Sequence, residues 1–232
     1  MRTGRKWDEI REPKIQTEFC PNSDGSVLFE MGGTGIICAA SISNEVPSHA
    51  ESSGKGWLTA EYSLLPYSTS PRTKRSILKK DGRSVEIQRL IGRSLRGIID
   101  LGKIPGYTIT IDCDVLKADG GTRTASITGS YIALKMAVDK MLKLGLIDMN
   151  PLYGNIAAIS VGYLNNNLLL DLDYSEDSKA DVDLNIVMDD KFNLIEIQGT
   201  AEKETFTIKQ LNQMIELAQK GITELINFQN KF

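Results

Sequence analysis

Apolar residues along this chain keep two rhythms, one of period two and one of period 3.6, and their succession lays out the elements. Apolar runs at 26–31 and 36–42, joined by Gly32-Gly33-Thr34-Gly35, predict a hairpin. The aromatic stretch Trp57–Tyr62 follows a connection rich in Gly, Ser and Pro. A helix is expected over about 86–100, with Ile87, Leu90, Ile91, Leu95, Ile98 and Ile99 on one side and Arg89, Arg93 and Arg96 on the other. Ile109, Ile111, Cys113 and Val115 alternate as a half-buried strand. Beyond them Ile127, Tyr131, Leu134, Val138, Met141 and Leu142 take helical spacing. Residues 155–164 and 168–174 predict a second hairpin across Asn165-Asn166, and 182–188 with 193–198 a third around Asp189-Asp190-Lys191. A last amphipathic helix is expected from about 207. Thr207 and Gln210 suit a capping box there, and Ile208, Leu211, Ile215, Ala218, Ile222, Leu225 and Ile226 form the buried stripe.

Short hairpins interleaved with long helices predict an α/β (α+β) fold with mostly antiparallel sheets. Strand pairs followed by a helix occur before residue 100 and again toward the end, which hints at two similar halves in one domain spanning 1–232.

Composition narrows the chemistry. The 232 residues are 41% hydrophobic and 25% charged, with a formal net charge of −3. Nucleic-acid binding would therefore rest on a local patch and not on a whole-protein field. Cys20, Cys38 and Cys113 have neither C-x-x-C nor metal-ligand spacing and read as reduced thiols. The N-terminus lacks an apolar leader core, and no apolar run reaches membrane-span length, so a soluble cytoplasmic protein without a membrane partner is expected.

Three clusters carry candidate chemistry. The period-two strand ends in Gly120-Gly121-Thr122-Arg123, which opens the following helix. Free first-turn N–H groups, a hydroxyl and a guanidinium then meet at the positive end of a helix dipole, as a phosphate site requires. The same residues also suit a plain tight turn with a Thr cap. Second, residues 67–82 are polar and basic and read as a mobile loop. From 72 to 96 nine Lys/Arg stand against Asp81 and Glu86, a spread that suits a polyanion. The helix arginines among them also suit a solvated or ion-paired face, or a subunit contact. Third, Asp171, Asp173, Glu176, Asp177, Asp181 and Asp183 gather near one strand, where they could hold Mg²⁺ or Mn²⁺ or form a solvated acidic loop.

Absences sharpen this inventory. His49 is the single histidine, which leaves no histidine dyad or cage, and there is neither a Walker A sequence nor G-x-G-x-x-G. Cations for phosphate and carboxylates for metal suit phosphoryl or nucleotidyl transfer.

Cys113–Ala125 resembles the signature of the ribonuclease PH family, bacterial phosphate-dependent 3′→5′ exoribonucleases. The likeness extends through Asp24–Leu28, Gly56–Tyr62, Gly82-Arg83, Glu86–Arg93, Ala158–Gly162, Glu176-Asp177-Ser178 with Asp183 and Asn185, and Gln198–Glu202 with Phe206. It implies an α/β domain of two similar halves, like the second domain of ribosomal protein S5, in a homo-hexamer built as a trimer of dimers. By position it implies phosphate binding by Arg83, Gly121, Thr122 and Arg123, and catalytic aspartates Asp177 and Asp183 that hold a divalent metal, Mg²⁺ or Mn²⁺. It also implies a basic loop at 67–80, with Arg72, Lys74, Arg75, Lys79 and Lys80, that grips tRNA. The implied reaction trims the 3′ ends of tRNA precursors and other RNAs such as rRNA. Inorganic phosphate serves as co-substrate, and nucleoside diphosphates are released reversibly.

Two rivals stay in view. A non-catalytic RNA-binding ring subunit typically lacks the arginines or aspartates that this chain keeps. A hydrolytic 3′ exonuclease would release monophosphates without added phosphate. Four positions depart from the family pattern: Lys117 in place of a usual Gln, Asp81 in place of a common Gly, Tyr67 in place of an Arg, and an additional Glu12.

Overall fold

The computed structural model describes residues 2, 4–75, 81–203 and 205–232. The chain runs β1 (Pro13–Thr17), β2 (Gly25–Met31), β3 (Thr34–Ser43), α1 (Ser48–Glu51), β4 (Trp57–Leu64), α2 (Gly82–Arg96), β5 (Thr108–Lys117) and α3 (Thr122–Lys143). It continues β6 (Ile156–Leu164), β7 (Asn167–Leu170), α4 (Tyr174–Asp177), β8 (Val182–Asp189), β9 (Leu194–Ala201) and α5 (Ile208–Gln229). One sheet has the order β1-β2-β3-β5-β4, the other β7-β6-β8-β9. Every pairing within these sheets is antiparallel except that of β4 with β5. The long connection from β4 to β5 through α2 is what permits this parallel neighbour.

The turns follow from their residues. Asn165 and Asn166 both take positive φ, 50° and 59°, the geometry of a tight two-residue hairpin between β6 and β7. Between β8 and β9 the Asp189 carboxylate accepts from the N–H groups of Lys191 and Asn193 at 2.9 and 2.8 Å, a side-chain-built turn.

Helix α3 lies between the two sheets, against β2 and β3 on one side and β6 on the other. Its apolar positions match the expected spacing, but Ser126, Thr128, Ser130, Ala133 and Ala137 are buried as well, so α3 is a central helix and not a surface one. Small residues let the sheets approach it: a Cβ on Gly129 would sit 2.9 Å from both Cys38 Sγ and Phe29 Cβ. Helix α2 covers β4, and α5 covers β6. Most buried apolar side chains form one cluster through both sheets, from Phe29 and Ile111 to Ile159 and Ile222, and Leu169, Leu172 and Ala180 form a small second one.

Several expectations shift. The helix expected at 86–100 spans 82–96, because Asp81 caps it and Gly97 follows its last turn. Ile98 and Ile99 remain buried beyond its end. The strand expected to run to 174 stops at Leu170, where Asp171 turns at φ 54°. The stripe of α5 begins later than expected, since Ile208 is 74% exposed, while the Thr207–Gln210 capping box forms. β1, α1 and α4 lie outside the elements that periodicity predicts. Among the described residues no helix is long and apolar enough to cross a membrane.

Candidate active site

Between β5 and α3 the chain turns through Ala118–Gly121. Gly120 and Gly121 adopt φ of 72° and 62°. A Cβ on Gly120 would lie 2.5 Å from the Leu172 carbonyl oxygen, so this position needs glycine for both conformation and space. Thr34 Oγ1 donates to the Gly120 carbonyl at 2.7 Å and accepts from the Asp119 N–H at 3.0 Å. The first-turn N–H groups of α3, which no intrahelical carbonyl can reach, follow directly.

This turn borders a cleft of about 380 Å³. Arg83 from α2, Gly120–Arg123, Ser160 from β6, Asp177 from α4, and Asp183 with Asn185 from β8 all line it. Every phosphate-binding and catalytic residue expected from the sequence therefore borders one cavity, although they come from α2, the start of α3, α4 and β8.

Arg123 is held from one side. Its Nη1 donates to Gln198 Oε1 at 2.6 Å and to Glu86 Oε1 at 3.4 Å, and Gln198 Nε2 donates to Glu86 Oε1 at 2.6 Å. Thus α2 and β9 fix the guanidinium. Thr122 is buried, and its hydroxyl accepts from Tyr62 OH at 2.8 Å. Burial pushes the Tyr62 phenol up, so it stays a donor. Gln198, Glu86 and Tyr62 were absent from the expected site, since their contacts span large sequence separations.

The six clustered acids separate into distinct tasks. Asp171 pairs with Arg5 and Arg11, and Glu176 with Arg2 and Arg5, in a buried ionic network. Asp173 caps α4 in a capping box with Glu176, and Asp181 accepts from the Asn165 N–H at 2.9 Å. Only Asp177 and Asp183 line the cleft. Burial raises the Asp177 pKa, while Arg123 and Arg83 act against the rise. Burial, then the Asp177 charge, pushes Asp183 up to about 6. Among the described residues Asp183 Oδ1 is buried with no hydrogen-bond partner, and Oδ2 receives a 3.5 Å bond from Asn185 Nδ2. Two half-buried carboxylates, one with an orphan oxygen, fit a hard cation that takes one or two carboxylates and completes its shell with water and phosphate oxygens. No group of three His, Cys, Asp or Glu suited to a metal occurs among the described residues.

Thr69, Ser70, Pro71 and Thr73 form part of the cleft wall, and Arg72, Lys74 and Arg75 are exposed beside them. Lys79 and Lys80 lie outside the described residues. Lys74 also borders a smaller, acidic cavity with Glu61, Asp112 and Asp114. Two helix arginines are taken up structurally. Arg93 pairs with Glu196 at 2.9 Å, while Arg96 donates to the Leu58 carbonyl at 3.0 Å and stacks on Trp57. His49 meets the same Trp57 edge-on, away from the cleft. Lys117 pairs with Glu30 at 3.3 Å and does not line the cleft. Glu12 pairs with Lys14 on the surface. Nothing in the structure explains Tyr67.

Comparison with known proteins covers nearly the whole chain. Residues 9–138 match the profile of the 3′ exoribonuclease family, domain 1, and residues 154–221 that of domain 2. Proteins named Ribonuclease PH from Crocosphaera subtropica and Corynebacterium glutamicum are each 51% identical, over 228 and 225 residues. Those alignments cover 98% and 96% of this chain, and 95% and 92% of the relatives. Among solved structures, rice Rrp46 superposes with a TM-score of 0.81 at 18% identity, covering 98% of this chain and 96% of that one. An Archaeoglobus fulgidus exosome with RNA bound to the active site gives 0.81 at 22%, covering 96% and 89%. These two show the shared fold.

Proposed function

This chain belongs to the RNase PH family of 3′ exoribonucleases, and from that premise we propose which of its residues carry the reaction. It is a phosphorolytic 3′→5′ exoribonuclease of the tRNA nucleotidyltransferase class, with inorganic phosphate and RNA as substrates. One observation carries the assignment: a single cleft is bordered by Arg83, the first turn of α3 and the Asp177–Asp183 pair.

In this reading Arg83, Thr122, Arg123 and the amides around Gly121 bind inorganic phosphate and orient one oxygen toward the last phosphodiester of the RNA. A P–O bond forms to that phosphorus, and the bond to the preceding 3′ oxygen breaks. The products are a nucleoside diphosphate and an RNA one nucleotide shorter with a free 3′ hydroxyl. One phosphodiester is exchanged for one phosphoanhydride, so the reaction runs in both directions. Two anions approach each other here, and charge stabilisation is the main requirement. Asp177 and Asp183 would hold Mg²⁺ or Mn²⁺, which when bound supplies positive charge to the phosphoryl oxygens. Arg123 enters already oriented by Gln198 and Glu86, which lowers the reorganisation its contact with phosphate requires.

The finer features belong to the same reading. Exposed Arg72, Lys74 and Arg75 beside the cleft would draw in the RNA backbone, with tRNA precursors as the implied substrate. The continuous core supports 1–232 acting as one unit, and exposed Leu194 and Ile197 on edge strand β9 suit burial in a homo-hexamer. Free, buried Cys38 and Cys113 suit the reducing cytoplasm.

Chromatography of the products made from RNA with a free 3′ end, with and without phosphate, tests the reaction. Nucleoside diphosphates that require phosphate are expected; monophosphates formed without it would mean hydrolysis. Arg123→Ala is expected to lower kcat/KM for phosphate by roughly 10²–10³-fold. Asp183→Asn should abolish turnover, and full activity in either variant removes that residue from the site.

A further inference from the structure

A guanidinium carries five N–H donors and no acceptor, so burying one demands a partner for each. Arg11, just before β1, is 9% exposed and lies outside the residues that line the cleft. Its Nε donates to Asp171 Oδ2 at 2.9 Å and its Nη2 to Asp171 Oδ1 at 2.6 Å, a two-pronged pair. The Arg11 backbone N–H reaches Asp171 Oδ2 at 2.7 Å. Two of the three remaining donors turn to the loop before α3: Nη1 bonds the Asp119 carbonyl at 2.5 Å, and Nη2 approaches the Gly120 carbonyl at 3.5 Å. A Cβ on Gly121 would stand 3.1 Å from Arg11 Nη2, so the guanidinium lies directly behind the loop.

These contacts set the direction of the loop's amides. A trans peptide is planar, with its C=O and the next N–H pointing opposite ways. The Asp119 and Gly120 carbonyls are drawn back by Arg11, and Gly120 also by Thr34 Oγ1 at 2.7 Å. The N–H groups of Gly120 and Gly121 therefore point away from Arg11. The other end of the pair leads to the segment that carries Asp177. Asp171 is 1% exposed, and it precedes Asp173, the cap of the short helix that carries Asp177. Stability alone is a weak reason for a buried ion pair, because well-packed apolar residues often serve as well. Geometry is a better one.

We propose that Arg11 is a positioning residue for the phosphate co-substrate, holding the Gly120–Arg123 loop in its binding orientation and in register with the Asp177 segment. It touches no reacting atom and acts through the loop. The inference rests on the assignment of phosphate to that loop.

The test is steady-state phosphorolysis by the full chain, with phosphate and RNA varied separately, together with the rise in melting temperature that inorganic phosphate induces. Arg11→Lys keeps the charge but gathers its donors on one nitrogen and loses the fork whose separate nitrogens join Asp171 to the loop. It is expected to raise KM for phosphate about tenfold, with KM for RNA within about twofold, by the scale on which supporting contacts tune a site. The phosphate-induced rise in melting temperature should shrink with it. Thr34→Val, near-isosteric and lacking the hydroxyl on the Gly120 carbonyl, should move phosphate KM the same way by about threefold. If Arg11→Lys does not fold, Thr34→Val decides alone. Unchanged phosphate KM in the folded variants, or equal losses for phosphate and RNA, overturns the positioning role. An Arg123→Ala control with normal phosphate KM would instead overturn the loop assignment itself.

Discussion

Asp81 stands before the helix that delivers Arg83 and accepts from the Ser84 N–H at 2.8 Å and from Ser84 Oγ at 2.9 Å. It satisfies one of the orphan donors at the start of α2, so a position where family members often carry glycine serves here as an N-cap. Asp81→Ala is expected to cost about 1 kcal/mol in chemical denaturation, and Asp81→Gly only a few tenths. The two bonds from Ser84 hold the Asp81 carboxyl below its ordinary value of 3.8. A depressed folded pKa contributes stability that is fully present above the ordinary value and disappears as pH falls through the folded one. The gap between wild type and Asp81→Ala should therefore be constant from neutral pH down to about 4 and close in stronger acid. A gap that persists there would mean the cap does not act through the carboxylate. Lys117 likewise serves locally, since it pairs with Glu30 and does not line the cleft.

At the scale of elements, what was legible in the sequence follows from contact range. The long helices and the hairpins declare themselves through periodicity and turn residues, which are local. Gly120–Arg123 was legible for the same reason, as strand, turn and helix start are contiguous. The roles of Asp171 and Glu176 were not, because their partners Arg2, Arg5 and Arg11 lie at the other end of the chain. Residue type alone does not separate a carboxylate that anchors an N-terminal arginine from one that faces a cleft. Short elements such as β1 and α4 carry too few residues for a period to register. The segment with Arg72, Lys74 and Arg75 is the reverse case: it has no periodicity, and its exposed cations beside the cleft make a charge argument direct. Neutralising all three to Ala should lower the slope of log affinity for single-stranded RNA against log salt by roughly 2, at about 0.7 for each phosphate that a cation neutralises. Fluorescence anisotropy across a salt series measures it. KM for phosphate should stay near the wild-type value, and an unchanged slope would take these residues out of the RNA path.

At the scale of the whole molecule, β9 joins an open sheet edge to the frame of the cleft. It is an edge strand, and exposed edges with apolar side chains invite pairing or cover. Leu194 and Ile197 are 49% and 40% exposed on it. The same strand supplies Gln198, which holds Arg123, and Glu196, which pairs with Arg93 of α2. An assembly that covers β9 would therefore stiffen the frame around Arg123, whereas a free edge would leave that frame to a strand mostly open to water. The expected homo-hexamer should sediment at about six times the 25.6 kDa chain, closed by symmetry as most homo-oligomers are. If β9 is among the covered surfaces, Ile197→Lys should shift the particle toward smaller species and raise KM for phosphate with it, because Ile197 neighbours Gln198 in the strand. A variant that stays hexameric with normal phosphate KM would place the subunit contacts elsewhere. One that dissociates yet keeps its phosphate KM would show that a single chain holds Arg123 in place unaided.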